Sequence, residues 1–293
     1  MSVHDAGPRH RVTTAYFAEK KAAGERLVVI TAYDEPSARL ADEAGVDAIL
    51  VGDSLGMTVL GYPDTLSVTM DDMLHHVAAV SRGCERAMVI ADMPFMSFQV
   101  SEEEALRNAG RFLAEAGAAA VKLEGGRRVE STVRRLVEAG IPVMGHVGLT
   151  PQSVHALGGY RIQAREAAAA LALIEDCRAL ESAGAFSVVL ECIPAELAEL
   201  VTEALSIPTI GIGAGLGCDG EVQVFHDLVG LSPRTPRHAN KYAEVGQAIR
   251  DAVERYAADV RERAFPQEAN TTRMDPAVLE QVREAVGSKR TGP

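Results

Sequence analysis

Residues 115–126 read EAGAAAVKLEGG. The Glu115-Ala-Gly117 phrase ends an amphipathic segment as a helix C-terminus does, with glycine free to take the left-handed turn. The apolar run 119–123 that follows has the length of a strand, and its charges, Lys122 and Glu124, arrive only at the far end. The same phrase recurs at Glu43-Ala-Gly45 and Glu138-Ala-Gly140, each time ahead of a Val- or Ile-rich run. Helical segments alternating with short apolar strands are repeated βα units, which require a parallel sheet. Candidate strands are 27–33, 48–52, 87–91, 119–123, 142–146, 186–190, 208–212 and, least regular, 222–228. Eight of them predict an α/β fold closed as a (β/α)8 TIM barrel, for which about 250 residues suffice.

The chain of 293 residues is 47% hydrophobic and 24% charged, so a large core without staples is expected. Its 29 Lys and Arg against 41 Asp and Glu give a net charge of −12, which argues against nucleic acid or an anionic membrane surface as partner. The start carries no signal-peptide pattern, and the longest aliphatic run, 167–174, is too short to span a bilayer. Cys84, Cys177, Cys192 and Cys218 are scattered with no C-x-x-C pair, so neither a zinc site nor a disulfide framework is indicated and a cytoplasmic location is expected. Ser101-Glu-Glu-Glu104 reads as a capped helix start. Two stretches break the βα rhythm, 56–72 and 150–166, and long loops there would act as active-site lids. The polar residues after Pro266 predict a short helix with a frayed end.

Strands of a parallel barrel should be apolar throughout, because helices cover one face and the interior the other. Here they are interrupted at one end only, by Asp34, Asp53, Asp92, the Lys122/Glu124 pair and Glu191. A lone acid after a strand is equally a helix N-cap; five at the same end point to a site. Alternation puts Lys122 and Glu124 on one face and Val121 and Leu123 on the other, so both charges project into the barrel mouth. Converging carboxylates repel one another unless a cation compensates, and without a thiolate or imidazole pair the expected cation is Mg2+ or a similar hard ion. Glu191, flanked by Val188, Val189, Leu190, Cys192 and Ile193, reads as a general base with a raised pKa; an acid tied to backbone or paired with Lys122 is the other reading. Lys122 beside Glu124 reads as a protonated anion clamp, with a Schiff base as its alternative. Gly211-Ile-Gly-Ala-Gly215 fits an anion cradle or a tight corner, and His146 an oxyanion donor or a structural histidine. His75 and His76 are adjacent on a helical segment, cannot face one ligand together, and read as structural.

The segments TAYD (31–34), VGDSLGMTVLG (51–61), ADMPF (91–95), VKLEGG (121–126), GHVGLTPQS (145–153), GGYRIQ (158–163), LECIP (190–194) and GIGAG (211–215) resemble the ketopantoate hydroxymethyltransferase family. The resemblance runs from about Thr13 to Phe265, which divides the chain into an N-terminal extension (1–12), a barrel domain (13–265) and a C-terminal tail (266–293). It implies a barrel of the phosphoenolpyruvate mutase/isocitrate lyase group. The implied reaction transfers a one-carbon unit from 5,10-methylenetetrahydrofolate to 3-methyl-2-oxobutanoate, giving 2-dehydropantoate for pantothenate synthesis. Carried over by position, Asp53, Asp92 and Glu124 are the magnesium-site acids, Asp53, Ser54, Asp92 and Lys122 contact the oxo acid, and Glu191 accepts the proton. His146 and Asp34 stand nearby as supporting candidates, and the family implies a homo-oligomer, commonly a decamer. The ends depart from the family pattern, with QEANTTRMDP in the tail, and Pro236-Arg-His-Ala-Asn-Lys-Tyr242 matches its basic post-barrel segment only loosely. Two competing readings are a metal-dependent 2-oxo acid lyase or phosphonomutase of the same barrel group and a barrel without catalysis. The cysteine loop motif of those relatives is not found, and no metal acid or base is missing.

Overall fold

The computed structural model describes residues 11–287, so most of the N-terminal extension (1–10) and the end of the tail (288–293) lie outside the described residues. Eight parallel strands close in sequence order: β1 (Leu27–Thr31), β2 (Ala48–Val51), β3 (Met88–Asp92), β4 (Ala120–Glu124), β5 (Val143–Gly148), β6 (Ser187–Glu191), β7 (Thr209–Ile212) and β8 (Gly220–Gln223). β8 pairs with β1 through Leu27↔Gly220 to Ile30↔Gln223.

The expected eighth strand, 222–228, is corrected: β8 ends at Gln223, and Phe225–Leu228 is a helical turn. The apolar spacing changes there from Val222/Val224, a strand period, to Phe225/Leu228, a helical one. The strand also begins earlier than apolarity suggests, at Gly220. An added Cβ there would lie 2.6 Å from the Leu27 carbonyl oxygen, so only glycine lets β8 close on β1.

Alternation divides the core in two. Outward residues such as Ile49, Val89, Val121, Val143, Val188 and Leu190 pack under the helices. Inward residues Val29, Leu50, Ile90, Ala120, Met144 and Val189 fill the barrel interior. The inward series ends in charge on three strands: Ala120 leads to Lys122 and Glu124, Ile90 to Asp92 and Val189 to Glu191. Parallel register then sets Asp92 beside Lys122 and Glu124 beside His146. An apolar plug therefore supports a polar layer at the C-terminal strand ends, where barrels of this kind carry their sites.

Capping fixes how chains leave the strands. Asp34 caps Glu35–Glu43, Thr69 and Asp72 form a reciprocal capping box on Met70–Gly83, and Ser101 caps Glu102–Ala114. The stretch after β2 starts with a helical turn, Leu55–Thr58, and folds back so closely that a Cβ on Gly56 would meet Val68 Cγ2 at 2.6 Å.

The chain divides into two compact units at Ala243/Glu244. The first carries the barrel. The second contains the helices Val245–Arg261 and Pro276–Gly287, the latter matching the short helix expected for the tail. No helix among the described residues is long and apolar enough to cross a membrane.

Candidate active site

The strand-end charges open into one cavity of about 760 Å³ whose lining includes Asp53, Ser54, Asp92, Lys122, Glu124, His146 and Glu191. Asp34 does not line it. Its Oδ1 accepts from the backbone N–H of Ser37 at 2.8 Å, the helix-capping alternative for a strand-end acid. His76 Nδ1 lies 2.6 Å from the Tyr33 carbonyl oxygen, away from that lining.

Each acid of the β2, β3 and β4 group has one oxygen committed to the protein. Asp92 Oδ2 accepts the Asp53 N–H at 3.1 Å, Asp53 Oδ2 accepts Gln152 Nε2 at 2.9 Å, and Glu124 Oε2 accepts the Gln152 N–H at 3.1 Å. The other oxygens remain. Asp92 Oδ1 and Glu124 Oε1 are buried and receive no directed hydrogen bond, although Lys122 Nζ lies 2.8 Å from the former. Buried carboxylate oxygens without donors are the lone pairs that a hard cation uses.

Among the described residues no three His, Cys, Asp or Glu side chains converge tightly enough to hold a metal ion unaided. An ion placed among Asp53, Asp92 and Glu124 would need water or substrate oxygens to complete its coordination, as Mg2+ commonly does. The electrostatics point the same way. Burial and then the charge of Asp92 push the Asp53 carboxyl up to about 7, and burial followed by Asp53 raises Glu124 well above the carboxylate range. Burial pulls Lys122 down, but Asp92, Glu124 and Asp53 outweigh it and hold the ammonium above its usual range. A lysine so held is a clamp for an anion and a poor Schiff-base nucleophile.

Across the mouth, Glu191 ends β6. His146 Nε2 lies 3.1 Å from Glu191 Oε2, while its Nδ1 is 3.2 Å from Lys122 Nζ. The ammonium can only donate, so Nδ1 accepts and the ring proton sits on Nε2, toward Glu191. Burial and the Lys122 charge lower the imidazole pKa, so it stays neutral. The apolar neighbours of Glu191 in sequence thus concealed a polar partner from the adjacent strand.

Tyr33, fully buried, holds Ser54 Oγ at 2.9 Å and so aims the serine at the cavity. Sequence reasoning missed Tyr33 and Gln152. Both lie inside quoted segments, TAYD and GHVGLTPQS, but are uncharged and gave no electrostatic signal. The glycine segment after β7 forms a corner. A Cβ on Gly215 would lie 2.4 Å from Ala195 Cβ, and both Gly213 and Gly215 have positive φ, at 64° and 82°. Cys192 lines the cavity, but burial pushes its thiol up to about 11, which leaves it unreactive as a nucleophile.

Comparisons with known proteins agree on a family. Residues 11–268 match the family described as ketopantoate hydroxymethyltransferase. The chain is 55% identical to the 3-methyl-2-oxobutanoate hydroxymethyltransferase of Carboxydothermus hydrogenoformans, over 93% of this chain and 99% of that one. It is 56% identical to the enzyme of the same name from Syntrophus aciditrophicus, over 91% and 97%. Among solved structures, phosphonopyruvate hydrolase superposes with a TM-score of 0.59 at 15% identity, covering 94% of this chain and 97% of that one. A 2,3-dimethylmalate lyase of the phosphoenolpyruvate mutase/isocitrate lyase superfamily gives 0.54 at 18%, covering 94% and 96%. These two likenesses establish the barrel type.

Proposed function

Since the chain belongs to the ketopantoate hydroxymethyltransferase family and hydroxymethylates 3-methyl-2-oxobutanoate, we propose that 5,10-methylenetetrahydrofolate supplies the carbon, that Asp53, Asp92 and Glu124 hold Mg2+, and that Glu191 moves the proton. The observation that carries this reading is the set of buried acids around one cation: Asp92 Oδ1 ion-paired with Lys122 at 2.8 Å, and Glu124 Oε1 left without a hydrogen bond, in the cavity that Glu191 also lines.

Mg2+, when bound, supplies Lewis acidity that makes the C3 proton of a chelating 2-oxo acid removable. Lys122 neutralises the substrate's carboxylate, and Ser54 Oγ, aimed by Tyr33, hydrogen-bonds to one of its oxygens. Glu191 takes the C3 proton, with neutral His146 keeping its carboxylate turned toward the substrate. Water hydrolyses the folate-borne methylene to the formaldehyde level and tetrahydrofolate leaves, the enolate carbon then bonds to that carbon, and its oxygen takes up the proton removed by Glu191, giving 2-dehydropantoate. The stretches after β2 and β5 contribute Met57, Thr65, Tyr160 and Ile162 to the cavity and exclude water from the reacting atoms.

The same proposal includes pantothenate synthesis as the pathway and the cytoplasm as the location. All four cysteines are free, which suits a reducing compartment. It also includes a homo-oligomer, with the decamer as its form.

The test is deuterium exchange at C3 of 3-methyl-2-oxobutanoate without folate. Exchange is expected with Mg2+ and not with chelator, and Glu191→Gln abolishes it while leaving metal affinity nearly intact. Metal-independent exchange in the wild type would overturn the mechanism, and normal exchange in the variant would move the base elsewhere.

A further inference from the structure

The cavity is larger than the oxo acid requires. Its volume of about 760 Å³ lies in the range that encloses a drug-sized ligand. An oxo acid of about eight non-hydrogen atoms, at no more than a water's ~30 Å³ for each, fills about a third of it. The groups assigned to that acid stand at the ends of β2, β3 and β4, with Glu191 on β6 facing its reacting carbon. What remains is the side formed by β7, β8 and the segment 231–238. Ile212, Val222, Val224, Leu231, Pro233 and Pro236 give that wall an apolar surface, with His226, Asp227, Ser232 and His238 at its polar positions.

The segment is anchored at its start, while residues 233–238 are exposed. The backbone N–H groups of Leu231 and Ser232 donate to the His226 carbonyl at 2.8 and 3.1 Å. A Cβ on Gly213, beyond β7, would lie 3.1 Å from His238 Cβ, so the segment packs on the glycine corner. Pro233 and Pro236 each precede an arginine and fix their own φ, which limits the freedom of the backbone that presents Arg234 and Arg237. Both arginines line the cavity, and neither has a carboxylate partner among the described residues. In a chain of net charge −12, two unpaired guanidinium groups over an apolar wall form a local site for an anionic, flat ligand.

We propose that this β7–β8 side docks the one-carbon donor, with its ring system against the apolar wall and its glutamate carboxylates on Arg234 and Arg237. The inference rests on the reading above that the donor is a reduced folate. Such a molecule combines a flat heterocycle with a tail of at least two carboxylates, and the guanidinium fork matches a carboxylate in two-point geometry. Docked there, the donor lies on the side of the cavity beyond Glu191, next to the carbon that the base deprotonates.

The test compares binding of tetrahydrofolate, its polyglutamylated form and tail-less tetrahydropteroate to the Mg2+-loaded full chain and to Arg234→Ala, Arg237→Ala and the double variant. The wild type is expected to prefer the tail-bearing ligands. Each single variant weakens tetrahydrofolate binding roughly tenfold, the loss expected for a charge-assisted hydrogen bond, and the double variant erases the preference. Unchanged tetrahydrofolate affinity in the double variant would overturn the site while leaving the donor reading intact, as would an equal loss for tetrahydropteroate. If the wild type binds none of the three, the donor reading fails and the site fails with it.

Discussion

The side-chain amide of Gln152 donates to Asp53 Oδ2 at 2.9 Å. The same nitrogen donates to the Met93 carbonyl at 2.9 Å, its Oε1 accepts from Gln99 Nε2 at 3.1 Å, and its backbone N–H holds Glu124 Oε2. One buried glutamine thereby fixes two acids from different strands and uses both of its side-chain donors. Gln152→Ala leaves Asp53 Oδ2 and the Met93 carbonyl without this donor, which costs about 1–3 kcal/mol of stability. With Asp53 freed of its orientation while the backbone N–H still holds Glu124, the site is expected to bind Mn2+ or Mg2+ about 10- to 100-fold more weakly. Thermal melts and calorimetric metal titration measure the two effects separately, and unchanged metal affinity would leave Gln152 a packing residue.

His146 bridges the lysine and the base, at 3.2 Å from Lys122 Nζ and 3.1 Å from Glu191 Oε2. His146→Ala is expected to lower kcat about 10- to 100-fold through loss of that orientation, with little change in metal affinity. Because Nε2, the ring nitrogen left to carry the proton, stands 3.1 Å from Glu191 Oε2, His146→Gln, which can place an amide N–H there, should recover part of the loss. A pH–rate profile and steady-state kinetics on the two variants check this. Equal activity of the alanine and glutamine variants would show that the donor is not needed.

The sequence was most legible where alternation and charge coincide. Lys122 and Glu124, two apart on a short apolar strand, fall inside the barrel because a strand's period leaves no other face. Asp53 reaches the cavity from the turn after β2, out of phase with inward Leu50, whereas Asp92 and Glu191 follow the same logic at other strand ends. Asp34 obeys the same pattern yet caps a helix, since a strand-end acid has two equally good local partners and only the chain's onward path chooses. Gln152 and Tyr33 were illegible because their importance lies in partners 99 and 21 residues away. The pairing of His146 with Glu191 depends on β5–β6 neighbourhood, which no local window contains. The eighth strand was misjudged because its start depends on a glycine's close approach to β1.

The raised acids make stability depend on pH in a definite direction. Asp53, pushed up to about 7 by burial and Asp92, keeps a proton in the folded chain that the unfolded chain releases at about pH 4. Its stabilising contribution is therefore full below about pH 4 and is lost as pH rises toward 7, and Glu124, raised by burial and Asp53, adds the same sign. In chelator, Tm is expected to fall across this window, and Asp53→Asn should flatten the fall. Mg2+ competes for the ionised form, so it should raise Tm more at about pH 8 than at about pH 6. Differential scanning calorimetry at both pH values decides it. A metal-free Tm that climbs from pH 4 to 7 would contradict the assignment.

Gly148 offers a test of how the base is held. It ends β5 at φ +93°, pairs in register with Glu191, and an added Cβ would lie 2.2 Å from the Glu191 carbonyl oxygen and 2.9 Å from Ile193 Cγ2. The first clash is with backbone, which cannot swing aside, and the positive φ penalises any L side chain there. Gly148→Ala must therefore move the end of β6. It is expected to cost about 1–3 kcal/mol of stability and to lower kcat more than metal affinity, because the displaced residue carries the proton while Asp53, Asp92 and Glu124 stand on other strands. Gly24→Ala, where φ is also positive at +67° but nothing lies within 4 Å of the added Cβ, supplies the control for backbone strain alone. Melting curves and C3 deuterium exchange on the two variants separate strain from displacement. If both lose the same stability and Gly148→Ala exchanges at the wild-type rate, contact between the ends of β5 and β6 does not position the base.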